Sequence, residues 1–167
     1  GGSTGGSTTC NTDDVLTTGS NSYPYAAINN DLDQSCGSPW NQKEYLFTWT
    51  APSDGCVRFD TESMTLDTVL SLYDSCPVTG GTELSCNDDG GVSTTSVIEY
   101  DVISGTQYFV QLEGYSTDLS SADVNAFFDN TSCANAVFTD TGDTGWDSGD
   151  TGWDTDFPWW DSGDTGW

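Results

Sequence analysis

The chain has no histidine and only two bases, Lys43 and Arg58, against 27 aspartates and glutamates, a formal net charge of −25 over 167 residues. Without histidine it lacks the commonest general base and the commonest transition-metal ligand. Without a basic surface it repels phosphate backbones and anionic membranes, so nucleic acid is excluded as a partner. No apolar run is long enough to span a bilayer, and no membrane insertion is expected. The six cysteines contain no Cys-x-x-Cys pair, which argues against a zinc site. No segment carries a persuasive helical period, which excludes a helical fold. The partners that this charge does suit are cationic, such as calcium, or neutral, such as glycan.

Six cysteines in an acidic chain rich in Gly, Ser and Thr point to disulfides and an oxidising compartment. The chain begins at Gly1, which fits a processed secreted protein. An extracellular location, secreted or at the cell surface, is therefore expected.

Strands are legible in the middle of the chain. Glu44 to Thr50 alternates, with Tyr45, Phe47 and Trp49 on one face and Leu46 and Thr48 on the other. Pro52-Ser53-Asp54-Gly55 is a turn by its chemistry, and Cys56 to Thr61 returns with Val57 and Phe59 inward. Val69 to Tyr73 is almost continuously apolar, as a strand buried on both sides would be. Val97 to Val102 and Tyr108 to Glu113 alternate again, and Val124 to Phe128 is the last candidate. Val15-Leu16 and Tyr23 to Ile28 are weaker, the second interrupted by Pro24 and so assigned to an edge. Short strands at turn-punctuated intervals predict an all-β fold, an antiparallel β-sandwich of jelly-roll or Greek-key type. It carries an extended N-terminal arm and a C-terminal repeat tail. The expected division is a Gly/Ser/Thr arm at 1–9, a disulfide-stabilised domain at 10–139 and a repeat at 140–167.

Asp67-Thr68-Val69-Leu70 with Tyr73-Asp74, Glu83-Leu84 leading into Asn87-Asp88-Asp89, and Gly105 followed by Tyr108-Phe109-Val110 and Gly114-Tyr115 occur in that order. Over about Tyr45 to Tyr115 the chain resembles the bacterial pre-peptidase C-terminal domain family. That resemblance implies a small antiparallel β-sandwich from secreted bacterial proteins, usually an accessory module. Cys76 and Cys86 flank one loop within this unit and are paired on that ground. Cys10 and Cys36 bracket the N-terminal segment, and Cys56 with Cys133 follows by elimination.

On the same resemblance Asp67, Asp74, Asp88 and Asp89 fall at neighbouring strand ends. Hard oxygen ligands in a Gly-rich loop suit calcium, which makes Asp67, Asp88 and Asp89 the candidate metal ligands. The competing reading has Asp67 and Asp88 capping turn amides without a metal. No cofactor is required on either reading.

From Asp140 the composition changes to a seven-residue repeat of the type DSGDTGW that runs to Trp167. Glycine at two of its seven positions and the lack of a Leu or Ile seam exclude a coiled coil. Five of the seven tryptophans stand here, at Trp146, Trp153, Trp159, Trp160 and Trp167, as candidate assembly or glycan contacts. Thr141, Thr144, Ser148, Thr151, Thr155, Ser162 and Thr165 each follow an aspartate and are candidate O-glycan acceptors. Asn130-Thr131-Ser132 fits the N-glycan pattern.

The repeated Asp-Thr-Gly and Asp-Ser-Gly triplets match the aspartic-protease signature. That chemistry needs two carboxylates in buried turns between apolar strands, and the repeat has no flanking strands. No motif supports a glycosidase either. The expectation is a secreted, non-catalytic structural or adhesive protein, a homopolymeric filament subunit joined through its tail or its arm. The alternative is an accessory calcium- or glycan-binding module of a secreted hydrolase. If the tail is the connector, truncation after Thr139 leaves a monomer by sedimentation where the full chain polymerises. Unchanged polymers after truncation would transfer that role to the arm.

Overall fold

The computed structural model describes residues 10–30, 32–37 and 42–138. The arm at 1–9 and the repeat at 140–167, with its five tryptophans and seven acceptor hydroxyls, lie outside the described residues.

Nine strands among the described residues make two facing sheets. The five-stranded sheet runs β1 (Asp14–Val15), β3 (Glu44–Thr50), β8 (Gln107–Gly114), β5 (Thr68–Tyr73), β6 (Glu83–Asn87). The four-stranded sheet runs β2 (Gly19–Tyr23), β9 (Ala122–Asp129), β4 (Gly55–Asp60), β7 (Val97–Val102). Every pairing is antiparallel except the short parallel one of β1 with β3. The orders β3-β8-β5-β6 and β2-β9-β4-β7 are those of an eight-stranded jelly roll, to which β1 adds an edge. A single 3-10 turn, Pro77–Thr79, is the nearest approach to a helix among the described residues.

Period-two alternation builds the core. Tyr45, Phe47 and Trp49 of β3 and Tyr108, Val110 and Leu112 of β8 face Val57, Phe59, Ile98, Val124 and Ala126 of the opposite sheet. The Trp49 and Phe59 rings meet edge to face at 5.6 Å across the two sheets. Two strands depart from the sequence reading. The second strand occupies the polar run Gly19–Tyr23 and stops before Pro24, which has no amide to give a ladder. β6, Glu-Leu-Ser-Cys-Asn, is too polar to announce itself and is held by its pairing with β5.

The five-stranded sheet is buried on its outward face too. Glu44, Leu46, Thr48, Val69, Ser71, Tyr73, Gln111 and Glu113 all point away from the core, yet all are buried. A strap at residues 32–37 covers some of this face. Ser35 donates its amide to Glu83 at 3.1 Å and bonds the same carboxylate through its hydroxyl. Gly37 packs on Glu113, where a Cβ would stand 2.9 Å from Oε1.

The disulfides fix these coverings, and two of them correct the sequence reading. Cys36 bonds Cys86, anchoring the strap to β6, and Cys10 bonds Cys76, anchoring the N-terminal segment beyond β5. The expected Cys76–Cys86 and Cys10–Cys36 pairs do not form. Cys86 stands opposite Ser71, five residues before Cys76 in the chain. Cys76 lies beyond the end of β5, in the turn that opens Pro77–Thr79, so it is not the cross-strand neighbour of Cys86. The third bond joins Cys56 to Cys133, as in the sequence reading.

Peptide mapping without reduction should link Cys36 to Cys86 and Cys10 to Cys76. Removing the Cys36–Cys86 bond by double alanine substitution should cost about 2–4 kcal/mol in a denaturant melt. Trp49→Ala, which empties the centre of the core, should cost about 3–5 kcal/mol in the same assay.

Candidate metal centre

Asp67 immediately precedes β5, and Asp88 and Asp89 immediately follow β6. Because β5 and β6 are antiparallel neighbours, the start of one strand lies beside the end of the other. The three carboxylates converge there, each offering an oxygen within 4.8 Å of the others. Asp67 and Asp88 are half-buried and Asp89 faces solvent, so the group sits on the rim of the sandwich.

A frame of backbone and hydroxyl contacts holds the loop. The Ser96 hydroxyl lies 2.6 Å from the Thr68 carbonyl and 2.8 Å from the Asp88 carbonyl, tying the two strand ends together. The hydroxyls of Thr61 and Thr68 sit 2.7 Å apart beneath it. Asn87 Oδ1 accepts from the amides of Gly90, at 2.8 Å, and Val97, at 2.9 Å. A Cβ at Gly90 would collide with that same Asn87 side chain. The glycine is therefore set by close approach.

Capping of turn amides, the competing reading, holds for a different aspartate. Asp74 Oδ1 accepts from the Thr82 amide and the Ser75 hydroxyl, both at 2.8 Å. Those bonds lower the Asp74 carboxyl below its ordinary range, the Thr82 amide most of all. Asp74 is not among the three converging carboxylates. Asp67 and Asp88 each keep a buried Oδ1 with no hydrogen-bond partner. Burial raises both carboxyls, and the Asp89 charge raises them further. Neither base relieves this. Lys43 pairs with Asp118, and Arg58 pairs with Asp60 and Glu62.

The donor set fits a hard divalent cation. Calcium takes oxygen ligands at about 2.4 Å, so two of its ligands stand at most roughly 4.8 Å apart. Buried, unpartnered carboxylate oxygens without a compensating base are what such an ion would satisfy.

Asn130 is exposed in the turn after β9, where Thr131 bonds Asp129 through its amide and hydroxyl. Sequence reasoning missed Asn87, Thr61, Thr68 and Ser96 as the frame of the loop. Their only signal was their position at strand ends. It also missed Glu44 and Glu113, which sit at outward strand positions to which it assigned no role.

No protein-family model and no curated protein matches the chain. Among solved structures it is similar to "CBM35 from Cellvibrio japonicus Abf62", at 17% identity and a TM-score of 0.30, over 66% of this chain and 87% of that one. A likeness of that size bears on neither site nor function.

In chelator, Asp88→Asn should raise the melting temperature by a few degrees, because it removes one of three crowded charges. Asp74→Asn should lower it, because a charged cap is lost. A fall for Asp88→Asn in chelator would show that its carboxylate stabilises the loop without any ion.

Proposed function

We propose that this chain is a secreted β-sandwich binding module that takes calcium at Asp67, Asp88 and Asp89. The observation that carries the reading is the pair of buried, unpartnered Oδ1 atoms in a three-carboxylate group that no base approaches. Three disulfides support an extracellular setting, where free calcium is abundant enough for a rim site of modest affinity. No helix of the described residues is long and apolar enough to cross a membrane. The resemblance to the pre-peptidase C-terminal domain family, usually an accessory module, agrees with a non-catalytic role.

The rim position defines what the ion would do. Calcium takes about 6–8 oxygen ligands, more than three carboxylates supply. Further oxygens, from backbone or water, would have to complete the set, and exposed Asp89 leaves the group within reach of solvent. An outside oxygen, such as a sugar hydroxyl, would enter there, which suits a neutral glycan better than any anion at this net charge. The filament reading rests on the arm and the repeat, both outside the described residues.

Calorimetric titration should show one calcium site, with magnesium binding more weakly. Calcium at a hundredfold over its dissociation constant should stabilise the fold by about 2.7 kcal/mol, and chelator should reverse the gain. Asp89→Ala should abolish the difference. A melting curve identical in calcium and in chelator would remove the metal from this reading.

A further inference from the structure

A second convergence of carboxyls lies between the five-stranded sheet and its strap, on the β8 side of the rim group: Val69, opposite Glu113 in the ladder, stands two residues after Asp67. Glu44 of β3 and Glu113 of β8 are directly opposite each other in the ladder, and both point outward. They are 1% and 4% exposed, so both side chains are largely withdrawn from water. Gly37 of the strap rests against Glu113 Oε1, and Asp33 of the strap is close enough for its charge to act on Glu113.

The surroundings do not favour an ionised Glu113. Gln34 Nε2 on the strap and Gln111 Nε2 on the same face of β8 are buried without partners, so neither donates to it. Asp13 Oδ2 accepts the Leu46 amide at the β3 edge and adds a further acid. From β5 and β6 the neighbours are the Tyr73 hydroxyl, 2.9 Å from Gln111 Oε1, and Glu83, 3.2 Å from that hydroxyl. No base faces the pair among the described residues. Lys43, next to Glu44 in the chain, bonds Asp118, and Arg58 is on the other sheet.

We propose that Glu44 and Glu113 form a one-proton latch, which seats the strap on the sheet while the pair holds a proton and loosens it when that proton leaves. With one proton the pair carries a single charge. With none, two buried charges repel each other and Asp33 across the strap contact. The strap cannot leave, because Cys36 remains bonded to Cys86, so the change is a loosening in place.

The window follows from the sign of the shift. Burial, then the Glu44 and Asp33 charges, raise the Glu113 carboxyl from 4.5 to about 7. Its folded value lies above its unfolded one, so its stabilisation is complete below about 4.5 and is lost as pH rises through about 7. The chain has no histidine to mask a transition there.

Hydrogen exchange of the Ser35 and Cys36 amides, which bond Glu83 and the Cys86 sulfur, reports the latch. In the full chain, their protection, corrected for intrinsic exchange, should fall by about tenfold or more between about pH 5.5 and about pH 8.5. Glu113→Gln should remove that dependence and keep the strap protected at the higher pH. Glu44→Gln should move the midpoint down, which keeps a test available if Glu113→Gln does not fold. The transition should persist both in calcium and in chelator, which separates the latch from the rim carboxylates. A pH-independent wild type, an unchanged slope in Glu113→Gln, or a transition that calcium removes would each overturn the latch.

Discussion

The structure depends on burying one sheet from both sides. A jelly roll buries the inner faces of its sheets against each other and commonly leaves the outer faces to water. Here the four-stranded sheet follows that pattern, with Glu99 and Asp101 exposed on β7, and the five-stranded sheet does not. The strap at 32–37 and the N-terminal segment are tied beyond or onto the far strands by Cys36–Cys86 and Cys10–Cys76. These cross-links make the covering durable, because they remove conformations from the unfolded chain rather than requiring each covering segment to bury a large apolar area. The cost is polar burial. Tyr73, Gln111, Ser71 and Glu83 offset some of it by bonding one another under the strap.

A chain with 27 acids and two bases cannot neutralise itself with ion pairs. Its aspartates take backbone amides instead. Asp54 accepts the Ser104 amide, Asp101 the Cys133 amide, Asp118 the Lys43 amide and Asp129 the Thr131 amide. Each bond spreads a negative charge onto a peptide dipole and fixes a turn at the same time. Hydrogen bonds of this kind hold Asp118 and Asp129 below the ordinary carboxyl range. Asp67, Asp88 and Glu113 do not gain that relief, and burial and neighbouring acids raise them. Asp13 is raised as well, because burial outweighs the Leu46 amide that it accepts. The two convergences differ in access. The aspartates sit at the rim with Asp89 exposed, and the glutamates are buried on the outward face with Glu113 against the strap.

Much of this was readable from residue order. The alternations of Tyr45-Phe47-Trp49, Val57-Phe59 and Tyr108-Val110-Leu112 fix inward faces by local geometry, since a strand turns each side chain opposite to the last. The continuously apolar Val69–Tyr73 run correctly indicated burial on both sides. The Asp67, Asp88 and Asp89 group was reached through a family resemblance, and the structure places its oxygens together. The burial of the outward residues of β3 and β8 was not legible, because alternation tells which face a residue is on and not what covers that face.

The sequence by itself determined the all-β class, most strand positions and the inward faces, because these depend on neighbours one or two residues away. It also determined the excess of acid and the oxidised cysteines, which are matters of composition. Tertiary structure decided the partners. Cysteines 66, 50 and 77 residues apart become bonded, and Asp67 meets Asp88 and Asp89 through strand pairing. Glu44 meets Glu113 only because β3 and β8 are neighbours in a sheet whose order does not follow the chain. Spacing along a chain limits the distance between two residues only from above. Which of them touch was settled by the jelly-roll crossings and by the segments that close over one sheet.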